Sequence, residues 1–95
     1  MEIVETTQYN RTKKKILKRF ILREEQIEET LALFIENPKE PSLHYKKMIC
    51  KKDKNRYSIR VPNTQYRILM TVESDIAILA CVCDHDDYDK RNKGC

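Results

Sequence analysis

Between Tyr57 and Val72 the chain alternates apolar and polar residues around a short, proline-led break, and this pattern constrains the fold more than any other feature. Tyr57, Ile59 and Val61 share one face of an extended segment, and Tyr66, Ile68, Met70 and Val72 share one face of the next. If Pro62 to Gln65 form a four-residue hairpin loop, Val61 stands opposite Tyr66, Ile59 opposite Ile68, and Tyr57 opposite Met70. Every apolar residue then meets an apolar partner. The same register sets Arg60 directly across from Arg67 on the other face, where like charges destabilise a sheet by themselves. A bound anion would remove that conflict.

A third strand follows, from about Asp75 to Cys83. It is apolar at every position from Ile76 to Val82, so it reads as a central strand at least partly covered on both faces. A tight turn near Ser74 and Asp75 brings Val82 beside Arg67 and leaves His85 about 10 Å further along, at the strand end. Upstream the period is helical. From about Tyr9, the residues Ile16, Leu17, Phe20 and Ile21 form an apolar stripe, with Lys14, Lys15, Lys18 and Arg19 as its solvated surround. A second helix spans roughly Arg23 to Asn37, with Ile27, Leu31, Phe34 and Ile35 on one face, and Pro38 stops it. Ile3 and Val4 suit a short opening strand. The expected fold is α+β: an N-terminal strand, a two-helix hairpin, then an antiparallel meander (β-α-α-β-β-β), with a basic groove on the sheet face opposite the helices.

The length, 95 residues, supports one domain over residues 1–95 with one modest core. No apolar run is long enough to cross a bilayer, and Met1 to Thr7 lacks the basic-then-apolar order of an export signal, so the expected location is cytoplasmic. On that reading Cys50, Cys81, Cys83 and Cys95 remain thiols. Cys81 and Cys83 read as small core hydrophobes. A zinc site from Cys50, Cys81, Cys83 and His85 is weakly supported, because no CxxC pair is present, and neither a metal nor another cofactor is expected. The net charge of +4 is modest for a chain that is 36% charged, but its distribution is uneven. Basic residues fill two stretches, around Lys13 to Arg19 and Lys46 to Arg67, while acidic residues gather between Glu24 and Glu36 and in the tail.

The order Pro41-Ser42-Leu43, Tyr57-Ser58-Ile59-Arg60-Val61, Tyr66-Arg67-Ile68 and a late His85 with Tyr88 resembles the RelE/ParE toxin superfamily over nearly the whole chain. The resemblance implies a compact, microbial ribonuclease-like fold and a neutralising antitoxin partner. It also implies one of two activities: cleavage of messenger RNA at the ribosome, or, in the ParE branch, poisoning of DNA gyrase. A relative retained only to bind its antitoxin is a third reading.

Metal-free RNA cleavage requires a base for the 2′-hydroxyl proton, a cation for the pentacovalent phosphorane and an acid for the departing 5′-oxygen. Arg67 matches the family's sheet arginine, and its guanidinium offers paired donors to phosphate oxygens. The hairpin register makes Arg60 a second phosphate contact. His85 is the acid or base candidate, since imidazole titrates near neutrality and relatives carry a histidine late in the chain. Asp84, Asp86 and Asp87 around it favour the imidazolium, and Cys83-Asp84 stands where relatives place a glycine. A divalent-metal site in this acidic run is a weaker reading than a solvated tail. Tyr88 matches the family's terminal aromatic, which can stack on a base. His44, after the Pro41-Ser42-Leu43 turn, would complete a base and acid pair if the fold brings it to His85. Arg56, Lys46 and Lys47 complete the RNA-binding set, although an extended backbone allows only one of the two lysines to face the groove.

Overall fold

The computed structural model describes residues 1–84. His85 and Tyr88, and the acidic tail around them, lie outside the described residues. The elements are β1 (Glu2–Glu5), α1 (Thr7–Lys18), α2 (Glu24–Glu36), a 3-10 turn (Pro41–Leu43), β2 (Lys46–Lys47), β3 (Arg56–Arg60), β4 (Arg67–Glu73) and β5 (Ile76–Cys83). They form one five-stranded sheet in the order β1-β5-β4-β3-β2. β1 runs parallel to β5 and the remaining pairs are antiparallel. The expected α+β order is present, with the two-residue β2 added at the sheet edge.

The hairpin forms in the expected register: Tyr57 faces Met70, Ile59 faces Ile68 and Arg60 faces Arg67. Val61 N–H donates to the Tyr66 carbonyl at 2.9 Å, closing the ladder above the loop. Within the loop Thr64 N–H donates to the Val61 carbonyl, and Asn63 takes a positive φ of 64°. Proline followed by a residue at positive φ is the type II turn arrangement, and asparagine tolerates that position better than most residues do.

Beyond the second turn the expected register needs correction. Glu73 faces Ile76 and Met70 faces Leu79 as the sequence suggests, but a bulge between Leu69 and Met70 admits Ala80 as an extra residue on β5. Past it Arg67 faces Cys83, not Val82. A bulge re-aims the side chains beyond it, and here it turns Cys81 and Cys83 to the arginine face.

Both helices begin where the capping chemistry allows. The Thr6 hydroxyl accepts from Tyr9 N–H at the start of α1, and the Gln26 side chain accepts from Arg23 N–H at the start of α2. α1 then covers the part of β5 that β1 leaves unpaired. Thr6 donates to the Leu79 carbonyl at 2.7 Å, and Thr12 accepts from Val82 N–H at 3.0 Å. Tyr9 and Ile16 from α1, Ile27 and Phe34 from α2, and Ile59, Ile68, Met70, Leu79 and Val82 from the sheet are buried together as the main core. Phe34 meets Tyr45 edge-on at 5.1 Å, and Tyr45 stacks on Tyr57 at 5.0 Å, linking α2 to β3. Burial, reinforced by Glu5 and Glu28, pushes the Tyr9 phenol well above its ordinary pKa, so it stays neutral in the core.

Phe20 departs from the expected stripe and is 93% exposed. α1 ends at Lys18, and Phe20 sits beyond it at φ 55°. Its N–H donates to the Leu17 carbonyl while Ile21 N–H donates to Ile16. This paired closure ordinarily uses glycine, and the only glycine of the chain is Gly94. Ile21 and Ile35 are partly exposed, leaving Ile16, Ile27 and Phe34 as the deeply buried members of the two stripes.

Candidate nucleic-acid interface

Alternation along the strands sends every second side chain away from the helices. On that second face β2 contributes Lys46, β3 contributes Arg56, Ser58 and Arg60, β4 contributes Arg67, Leu69 and Thr71, and β5 contributes Cys81 and Cys83, as the strand registers require. The sheet therefore separates an apolar face under the helices from a basic one. Ser58, on the second face, is nonetheless fully buried, and its hydroxyl donates to the Met48 thioether at 3.6 Å.

Arg60 and Arg67 are half-buried and opposite one another. The Arg60 Nε is shielded from solvent and has no hydrogen-bond partner among the described residues. The strand register thus sets two arginines opposite one another at a sheet end, and paired guanidinium donors are the chemistry that suits a planar or tetrahedral oxyanion. Lys46 faces Ser58 and so joins the arginine face, whereas Lys47 faces Tyr57 and projects toward the other. This is the one-of-two outcome that extended backbone requires.

Arg56 shares the face but has an acidic partner. Its Nε lies 3.6 Å from Asp53, which also accepts from Asn55 N–H at 2.9 Å and from the Thr71 hydroxyl. Burial alone would raise the Asp53 pKa; the Thr71 and Asn55 hydrogen bonds and the Arg56 charge outweigh it and hold the carboxyl below its usual value. Asp53 thus ties its loop to β3 through Arg56 and to β4 through Thr71, a structural task for Arg56 that the basic pattern of the sequence does not reveal.

His44 occupies a left-handed conformation at φ 48° and is exposed. It lines a shallow depression of about 280 Å³ with Pro38, Lys39, Glu40, Pro41 and Tyr45. None of the groove arginines lines that depression. At the opposite end, where β5 leaves the sheet, a cleft of about 100 Å³ brings together Thr12, Lys15, Arg19, Tyr66, Cys83 and Asp84. Lys15 and Arg19 belong to the helix face that spacing alone reads as solvated; only the packing of α1 across β5 brings them to the strand end.

Cys50 is disulfide-bonded, which corrects the expectation that all four cysteines are thiols and removes Cys50 from the zinc reading. Cys81 and Cys83 remain thiols. Among the described residues no three His, Cys, Asp or Glu side chains cluster as metal ligands, and no helix is long and apolar enough to cross a membrane.

No protein-family model and no curated protein sequence matches the chain. Solved structures do. The YafQ crystal structure from E. coli superposes with a TM-score of 0.76 at 12% identity, covering 92% of this chain and 96% of that one. YafQ in the E. coli DinJ–YafQ complex also gives 0.76 at 12% identity, covering 90% and 94%. A copper-bound mutant toxin from Helicobacter pylori gives 0.75 at 14% identity, covering 92% and 97%. The YoeB dimer from Staphylococcus aureus gives 0.64 at 20% identity, covering 90% and 95%. The chain has the fold of these RelE-like toxins.

Proposed function

We propose that this chain is the toxin of a type II toxin-antitoxin system and acts as an mRNA interferase, cleaving ribosome-bound messenger RNA and so arresting translation. The observation that carries this reading is the Arg60–Arg67 pair, opposed across the hairpin on the face the helices leave uncovered. Two like charges in register weaken a sheet, and an RNA phosphate between them turns that cost into binding.

In the proposed reaction Arg67 holds the scissile phosphate, with Arg60 as the second guanidinium and Lys46 on the adjoining backbone. A base withdraws the 2′-hydroxyl proton, the 2′-oxygen bonds to phosphorus, and the arginines stabilise the extra negative charge of the phosphorane. The P–O5′ bond then breaks and an acid protonates the leaving oxygen, giving a 2′,3′-cyclic phosphate and a 5′-hydroxyl. His85 is assigned the acid and Tyr88 the stacking role; in the sequence both come after Cys83, the last residue of β5, which faces Arg67. The exposed His44 is the remaining imidazole, and it serves as the base only if substrate binding brings the loop after Pro41–Leu43 over the groove.

The antitoxin in this proposal is an amphipathic, partly acidic segment that covers the basic face or the helix pair. The E. coli DinJ–YafQ toxin-antitoxin complex, whose toxin has this fold, supports an antitoxin partner. Cytoplasmic residence follows from the ribosomal target.

The test is a translation reaction assembled from purified ribosomes and a defined messenger, with the terminal chemistry of the fragments read out. The proposal expects 5′-hydroxyl and 2′,3′-cyclic phosphate ends, lost with Arg67→Ala. Intact messenger with arrested growth in cells would replace it with the gyrase-directed reading.

A further inference from the structure

The groove face carries a second feature that phosphate binding does not use. Leu69, Cys81 and Cys83 form a small buried cluster of their own, separate from the main core, with Met48 and Ala80 packed against it. Each thiol is about 1% exposed, and the two sulfurs are 3.8 Å apart. The bulge at Leu69/Met70 sets the register in which both cysteines lie on this face. The third sulfur is oriented: Met48 is held over β3 by its N–H bond to the Arg56 carbonyl at 2.8 Å and by the Ser58 hydroxyl on its Sδ.

We propose that Cys81, Cys83 and Met48 form a binding site for a soft monovalent metal ion, with Cu(I) as the fitting class. Two sulfurs each about 2.3 Å from one metal ion, subtending an angle between tetrahedral and trigonal, stand roughly 3.8–4.0 Å apart. The thiol pair already has that separation. Two thiolates and a thioether are soft donors, which select Cu(I) over the harder divalent ions. Binding converts two thiols and one Cu(I) into a bis-thiolate of net charge −1, with two protons released to solvent and no change of oxidation state. Arg67 lies across from Cys83 and supplies the neighbouring positive charge. Cys83 also lines the cleft at the end of β5. The burial that makes these cysteines look like ordinary core residues keeps water from the bound ion. This site stands whether or not the chain cleaves RNA.

The experiment uses the full chain with its Cys50 disulfide intact, anaerobically, with Cu(I) generated by ascorbate and competed against a colorimetric Cu(I) chelator. The site predicts one tightly held ion per chain, lost with Cys81→Ser and with Cys83→Ser, and at least ten-fold weaker binding with Met48→Leu. Copper-edge X-ray absorption of the wild-type chain gives a second reading that needs no cysteine variant to fold. Three sulfur neighbours, falling to two in Met48→Leu, support the site. Failure of the wild-type chain to compete for Cu(I), binding that survives Cys81→Ser, or a coordination shell of oxygen and nitrogen overturns it.

Discussion

The two faces of the sheet differ in what holds them together. Under the helices, Ile59, Ile68, Met70, Leu79 and Val82 meet Tyr9, Ile16, Ile27 and Phe34 in a core from which water is excluded, and burial of apolar surface is a sufficient account. On the other side two arginines oppose each other and a carboxylate neutralises a third. A face that opposes its own charges is shaped by what it meets, while the face that buries its side chains is shaped by the chain alone.

Four substitutions sharpen or break this contrast. Phe34→Ala removes a fully buried ring from the helix side and is expected to cost about 3–5 kcal/mol in denaturant unfolding. A loss below 1 kcal/mol would mean that the helix face does not carry the stability.

Asp53→Asn, on the groove side, is expected to cost about 1–2 kcal/mol at neutral pH, because it leaves Arg56 without its charge partner. The folded pKa of Asp53 is lowered, so its contribution is present above the unfolded value and is lost as pH falls through the folded one. Wild type and variant should therefore converge in acid. A gap that persists unchanged to low pH contradicts the assignment.

Phe20→Gly acts where neither face is involved. The ring is exposed and the backbone sits at positive φ, so glycine should raise stability by up to about 1 kcal/mol. A loss would show that the ring is packed.

The smallest expected effect is the most telling. Arg60→Gln should raise the stability of the chain by roughly 0.2–1 kcal/mol through relief of the like-charge pair, while weakening RNA binding. Titration calorimetry with a short RNA, beside thermal unfolding, measures both. Changes of the same sign in the two would remove the idea that this face gives up stability for a ligand.

What could be read without coordinates followed the same division. The β3–β4 hairpin register was readable residue by residue, because alternation and the Pro62–Gln65 break leave one pairing that matches apolar partners, and Arg60 opposite Arg67 came with it. The β5 register was not. In a run that is apolar at every position, an extra Ala80 leaves no mark on the pattern, so the one-residue displacement that puts Cys83 beside Arg67 could not be seen. Phe20 continued a helical spacing that the backbone had already left. Arg56 looked like any other groove cation, because its pairing with Asp53 depends on the loop fold and on Thr71 from another strand. The cleft that joins Lys15 and Arg19 to the end of β5 depends on how α1 lies across the strand, which composition does not encode.

The central claim, that the opposed arginines hold RNA for cleavage, is tested most directly by mapping new RNA 5′ ends in cells shortly after induced expression, beside an Arg67→Ala control. The account predicts ends in phase with codons that disappear with Arg67→Ala. Growth arrest without new ends, or the same ends in both, would contradict it.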